Sequence, residues 1–173
     1  MNMPSKILMS PEQMSRTELL AAFHSERSRC LDAFASVEEC VVALLDILGL
    51  PSGGEPFGHK LKALRQAKAS PKFSKARLEK LGILIPSCVE LNQLRNDIVH
   101  SRLQLAEVSG EFRACFTNTK ECLVGGQSAR LFTLDGLARL SQNFTRLAVE
   151  LKQVLINPAS LPQPPSPGAA GDP

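Results

Sequence analysis

The chain has 173 residues, which is enough for one domain with flanking segments. Hydrophobic residues make up 43% of it and charged residues 21%, the usage of an ordinary globular protein. It contains eight Phe but no Trp and no Tyr. This composition excludes cages built from Trp or Tyr and argues against base stacking on those two residue types.

The N-terminal residues lack an apolar core long enough for a secretory signal. The longest apolar run, residues 40–45, is followed by Asp46 and Gly49, so we expect no association with a membrane. The cysteines are odd in number, scattered and without CxxC spacing: Cys30, Cys40, Cys88, Cys115 and Cys122. We therefore expect a cytoplasmic protein without a disulfide framework or a zinc site, in which most cysteines are small buried apolar residues. No cofactor is expected.

Two segments near the N-terminus have the pattern of a helix start, Ser10–Gln13 and Ser15–Glu18. Farther along, apolar residues recur at steps of four and three, which predicts one long amphipathic helix: Cys30, Phe34, Val37, Val41, Leu44 and Leu48. Gly49 is expected to end this helix, and the Pro- and Gly-rich residues 51–56 are expected to turn the chain.

A short second helix is predicted over residues 57–68, with an apolar face formed by Phe57, Leu61 and Leu64. A third helical region is predicted over residues 74–105, where Pro86 produces either a kink or the start of a separate helix. The buried face after this proline is expected to consist of Leu91, Leu94, Ile98 and Leu105.

Residues 106–132 lose helical periodicity, and two strand-like segments within them predict a small irregular β-hairpin. Thr133 is expected to cap a last helix, with Asp135 in its first turn. An apolar stripe follows, formed by Leu134, Leu137, Leu140, Phe144, Leu147, Leu151 and Val154 or Leu155. The Pro-rich residues 157–173 are expected to form a disordered tail.

Together these elements predict an all-α fold, an up-and-down bundle of four to five helices with a small irregular β-hairpin insert around residues 106–132. The predicted organisation is an N-terminal arm and helix start at 1–14, a single helical domain at 15–156 and the tail at 157–173.

Basic residues are concentrated between His59 and Lys80, where eight of them accompany one acidic residue, Glu79. They are Lys60, Lys62, Arg65, Lys68, Lys72, Lys75, Arg77 and Lys80. One interpretation is a solvated helix face on which long side chains cover apolar surface. The other is a docking surface for a polyanion.

The segment LNQLRNDIVHSRL, residues 91–103, places an arginine, two short polar residues and a histidine within six positions. On a helix that turns by about 100° per residue, His100 lies almost opposite Ile98 and one turn beyond Asn96. Since Ile98 is expected in the core, His100 is expected to be exposed or to lie in an interface.

The order Arg95-Asn96-Asp97-Ile98-Val99-His100 resembles the signature of HEPN domains, which are helical bundles found in many prokaryotic toxins and RNA-cutting effectors. The resemblance implies metal-independent endoribonuclease activity that leaves 2′,3′-cyclic phosphate and 5′-hydroxyl ends. It also implies a homodimer in which two Arg and His pairs face one cleft, with RNA as substrate and an antitoxin or regulatory protein as a further partner.

The residue types of the motif suit that chemistry. His100 would take the proton of the RNA 2′-hydroxyl or protonate the leaving 5′-oxygen, and Arg95 would bind the phosphate. Asn96 would orient His100 or hold the phosphate, and Asp97 would steer Arg95. Some HEPN toxins have a Tyr at the position that Arg102 occupies in this chain. Arg102 would instead add a phosphate contact. The expected nucleic-acid-binding residues are Arg102, Lys60, Lys62 and Arg65.

Two other interpretations stay open. Helical regulators similar to the mannitol-operon repressor also carry an Arg-Asn-x-x-x-His stretch, which suggests a catalytically inactive HEPN-like scaffold that dimerises or binds a partner. The third interpretation treats the six residues as a capped, hydrated helix face.

Overall fold

The computed structural model describes residues 14–117 and 129–156, and it is mainly helical with a small antiparallel sheet. The elements are α1 (Arg16–Leu48), α2 (Phe57–Arg65), α3 (Lys75–Val99), β1 (Arg102–Val108), β2 (Glu111–Thr117), β3 (Ala129–Phe132) and α4 (Leu134–Leu155). The predicted start at Ser10–Gln13 and the predicted tail lie outside the described residues. No helix of the described ranges combines the length and the hydrophobicity that crossing a membrane requires.

Helix α1 begins and ends at the residues that local chemistry predicts. The Ser15 hydroxyl accepts the backbone N–H of Glu18 at 3.3 Å, and the Glu18 carboxylate accepts the N–H of Ser15 at 2.8 Å. This reciprocal capping box satisfies two of the donors that a helix start leaves unpaired. At the other end Gly49 adopts a φ of 67°, the left-handed conformation that glycine tolerates best.

The core forms mainly where α4 packs along α1. Phe34 of α1 lies edge-to-face with Phe144 of α4, with ring centroids 5.3 Å apart. The Cys30 thiol donates to the Leu137 carbonyl at 3.2 Å, and burial raises its pKa to about 11. This thiol is therefore neutral near pH 7, as expected for a cysteine that serves as a core residue.

The cap of α4 confirms the prediction for Thr133, whose hydroxyl accepts the N–H of Gly136 at 2.9 Å. Helix α2 ends at Arg65, three residues before its predicted end, and its predicted apolar face is buried as Phe57, Leu61 and Leu64. Helix α3 continues through Pro86, so the interpretation of two separate helices is wrong.

The predicted extension of the third helix to Leu105 is also wrong. Helix α3 ends at Val99, and Leu105 lies in β1, where it pairs with Ala114. Strand β1 pairs with β2, and β2 pairs with β3, all antiparallel. Ser109 and Gly110 join β1 to β2 with φ values of 55° and 79°, as a two-residue type I′ turn requires.

The pairing of β2 with β3 lies within the predicted hairpin insert, and residues 118–128 between these two strands lie outside the described part. The third strand of the sheet, β1, was not predicted from the sequence. The inward-facing Leu103 pairs with Phe116, and both side chains are buried. The sheet therefore adds its own apolar face to the helical core.

Arg77 does not lie on the basic surface predicted between His59 and Lys80. It is 9% exposed, its Nε donates to the Val154 carbonyl at 2.8 Å and its Nη2 to the Leu155 carbonyl at 2.8 Å. A third donation reaches the Lys72 carbonyl at 3.1 Å, and the guanidinium lies 4.1 Å from the centroid of the Phe73 ring. Arg77 thus caps the carbonyl end of α4 from inside the protein.

Candidate active site at the end of helix α3

Arg95 lies in the last two turns of α3 with a half-buried side chain. Its guanidinium carbon is 5.2 Å from the centroid of the Phe34 ring, within the range of a cation–π contact. Its Nη1 donates to Oδ1 of Asn96 at 3.1 Å. The Phe34 ring of α1 and the Asn96 side-chain amide therefore hold the Arg95 guanidinium in place.

His100 is the first residue beyond α3 and closes the helix. Its backbone N–H donates to the Asn96 carbonyl at 3.0 Å, so the position still follows the helical path. The His100 side chain is exposed, whereas Ile98 and Ser101 beside it are buried. The imidazole of His100 is thus exposed to solvent, while Ile98 before it and Ser101 after it are buried in the protein.

Asp97 is 7% exposed, and its Oδ2 accepts from Nε of Arg130 on β3. Arg130 pairs across the strands with Phe116 and keeps 49% of its side chain exposed. This ion pair links the motif helix to the far strand of the sheet. That Asp97 steers Arg95 stays a prediction.

Arg27 approaches the same place from the N-terminal half of α1. Its Nη2 donates to the carbonyls of Ile98 at 2.8 Å, Val99 at 3.4 Å and Ser101 at 3.2 Å. Its guanidinium carbon also lies 5.9 Å from the centroid of the Phe116 ring. Arg27 therefore joins α1, the end of α3 and the sheet at one point.

The four residues expected to bind nucleic acid fall in two places. Arg102 is exposed at the start of β1, two residues after His100. Lys60, Lys62 and Arg65 lie on α2, with Lys60 half-buried and the other two exposed. Arg102 thus follows the motif closely in the sequence, whereas Lys60, Lys62 and Arg65 lie on a separate helix.

The outward side of α3 carries a line of residues at steps of three or four, which we call the α3 stripe. It runs through Ile83, Pro86, Val89, Gln93, Asn96 and His100. Its first half is apolar although Ile83 is 74% exposed and Val89 41%. Beside it, a groove of about 330 Å³ is lined by Arg65, Ile85, Pro86, Val89, Glu90 and Gln93.

Within residues 14–117 and 129–156, no group of three or more His, Cys, Asp or Glu side chains could hold a metal ion. The chemical groups that the site offers are the exposed imidazole of His100, the amide of Asn96 and the guanidinium groups of Arg95, Arg102 and Arg130. Such a set can accept and donate protons and bind an anion.

Two residues of the site, Arg27 and Arg130, were not predicted from the sequence. A signal for Arg27 was present, because it stands between Phe23 and Cys30 at the spacing of the apolar stripe of α1. A cation at a core position must find partners inside the fold. Arg130 gave no comparable signal, since its partner Asp97 lies 33 residues away and reaches it through the sheet.

Comparison with known proteins leaves the family of this chain open. No family model, no curated protein and no solved structure matches it.

Proposed function

We propose that this protein is a HEPN-like, metal-independent endoribonuclease of the toxin or defence type that acts in the cytoplasm. Its helices would form the up-and-down bundle of that superfamily, and an antitoxin or regulatory protein would control it. The observation that carries the proposal is the exposed imidazole of His100, held at the end of α3 five residues after Arg95. The sequence resemblance supports both residues, and the exposure of His100 is what the proposed proton transfer needs.

The proposed reaction is attack of an RNA 2′-oxygen on the adjacent phosphorus. One His100 takes the 2′-hydroxyl proton, and a protonated His100 of a second subunit gives a proton to the leaving 5′-oxygen. Arg95 stabilises the negative charge that builds on the phosphoryl oxygens. The P–O5′ bond breaks, which leaves a 2′,3′-cyclic phosphate and a 5′-hydroxyl.

Two features of the surroundings support RNA as the substrate. Arg102, two residues after His100, and Arg130, which pairs with Asp97, both add exposed guanidinium groups to the motif. On the other side, Phe34 contacts both Arg95 and Phe57, the first residue of the basic helix α2. A backbone of phosphates that runs from the motif towards α2 would meet Lys60 and Lys62, whereas Arg65 lines the groove beside the α3 stripe.

A homodimer would bring two such sets together. The α3 stripe supports this, because its apolar half continues along the helix into Asn96 and His100. Arg65 and Glu90, of opposite charge, both line the groove beside it, so a two-fold copy could pair each with the other. The apolar half would hold the subunits together and leave the polar half facing the shared cleft.

One observation favours the second candidate, an inactive HEPN-like scaffold. Arg95 contacts Phe34 and Asn96 within its own subunit, so its guanidinium has stabilising partners without RNA. A scaffold would use the α3 stripe for dimerisation or partner binding and would cut nothing.

The substitution His100→Ala separates the two candidates. Purified wild-type protein is expected to cleave a mixed-sequence RNA in EDTA, and the variant to do so about 10²–10⁴-fold more slowly. The matched control is His59→Ala, which removes an imidazole that is 71% exposed on α2. It should cleave like the wild type, and all three proteins should have the same helical circular dichroism spectrum. A wild-type protein that cuts no RNA supports the scaffold.

The substitution Val89→Glu tests the dimer. A carboxylate in the apolar half of the α3 stripe is expected to raise the dimer Kd about a hundredfold or more, because a charge would be buried there. Sedimentation equilibrium measures the Kd, and Val149→Glu is the control, since Val149 on α4 is 49% exposed. A wild-type protein that is monomeric at high concentration, or equal effects of the two substitutions, would refute this interface.

A further inference from the structure

We infer that Arg27 is the positioning residue of the site: it fixes the backbone on both sides of His100 and thereby sets the direction of the imidazole. The catalytic consequence rests on the proposed function, whereas the structural part does not. Arg27 is 73 positions away from His100 and lies outside the motif.

The contacts of Arg27 enclose His100 without including it. One nitrogen, Nη2, donates to the carbonyls of Ile98 and Val99 before the histidine and to that of Ser101 after it. A single planar guanidinium thus spans the point where α3 changes into β1. The backbone of His100 is fixed from both directions, while its side chain stays exposed.

Electrostatics explains why a cation is needed there. The last carbonyls of a helix carry partial negative charge and lack intrahelical donors. The last turn of α3 contains no basic residue of its own. Arg27 supplies the missing donors and the missing charge from α1, and the nearby ring of Phe116 holds its guanidinium against the sheet.

The arrangement has a specific consequence for catalysis. A proton donor or acceptor must lie within hydrogen-bond reach of the reacting oxygen, and a misplacement of about 1 Å can cost about a hundredfold in rate. Loss of Arg27 frees the junction after α3 without removing any group that touches RNA. The turnover number should therefore fall while RNA binding is retained.

The test compares Arg27→Met with Arg29→Met, which removes a neighbouring arginine that is 67% exposed and pairs with Glu26. Hydrogen exchange followed by mass spectrometry should show amides of residues 99–101 exchanging at least about tenfold faster in Arg27→Met, with α4 unchanged. In the cleavage assay, kcat should fall about 10–100-fold with KM within about twofold. Arg29→Met should match the wild type in both measurements.

Arg27→Lys covers the event that Arg27→Met does not fold, because it keeps the charge and one strong donor. Its junction amides should exchange at an intermediate rate. Exchange that accelerates equally throughout the chain, or not at all, would overturn the inference, as would a rise in KM with unchanged kcat. If the wild type cuts no RNA but the junction amides respond as expected, the proposed function fails and the positioning role of Arg27 stands.

Discussion

Replacing Phe34 with alanine is expected to lower the free energy of unfolding by about 3–5 kcal/mol. Phe34 is 2% exposed, and its ring lies edge-to-face with Phe57 at 5.0 Å and with Phe144 at 5.3 Å. Alanine would leave a cavity where α1, α2 and α4 meet. The Arg95 guanidinium would also lose the aromatic face that it covers at 5.2 Å.

Urea denaturation at a fixed protein concentration measures this loss. Phe112→Ala is the matched control, because Phe112 is 40% exposed on β2 and should cost far less. Phe34→Leu keeps most of the volume and should fall between the two. An equal loss for Phe34→Ala and Phe112→Ala would contradict the burial of Phe34 between α1, α2 and α4.

Replacing Arg77 with methionine is expected to cost about 2–3 kcal/mol, although an arginine in a basic segment would ordinarily be placed on the surface. Methionine can fill the space over Phe73 but cannot donate to the carbonyls of Val154, Leu155 and Lys72. The carbonyls of Val154 and Leu155 would lose their charged donor at the end of α4, and the carbonyl of Lys72 would lose its donor just before α3.

The control for this substitution is Lys80→Met, which removes an exposed cation one turn farther along α3. It should change the free energy of unfolding by no more than about 0.5 kcal/mol. Thermal and urea unfolding distinguish the two variants. If Arg77→Met is as stable as Lys80→Met, the Arg77 side chain is not the cap of α4.

The parts of the fold that the sequence predicted are those fixed by neighbouring residues. Ser15, Gly49 and Thr133 act on backbone groups within a few positions, so their effects can be deduced from spacing alone. The apolar stripe of α1 also repeats over several turns, which leaves no ambiguity about its period.

The third helix was predicted too long because residues 102–108 pair with another strand and do not continue the helix. Leu105 is seven residues from Ile98, which suits two helical turns, and two from Leu103, which suits a strand. The choice depends on β2, where Leu103 pairs with Phe116 and Leu105 with Ala114. Spacing within residues 98–105 does not contain that information.

The same distinction applies to the site. Arg95 and His100 form a pattern that is visible in six residues, whereas the contacts around them come from elsewhere in the chain. Arg27 reaches the carbonyl of Ile98 from 71 residues away, and Arg130 reaches Asp97 from 33. The arginine in the apolar stripe of α1 could have revealed that Arg27 has a buried partner, but not which one.

The most direct test of the central claim is the chemistry of the RNA ends that the wild-type protein produces in EDTA. We expect 2′,3′-cyclic phosphates and 5′-hydroxyls, and no cleavage at a position whose 2′-hydroxyl is replaced by hydrogen. Products with 3′-hydroxyl and 5′-phosphate ends, cleavage at the 2′-deoxy position, or no cleavage at all would contradict it.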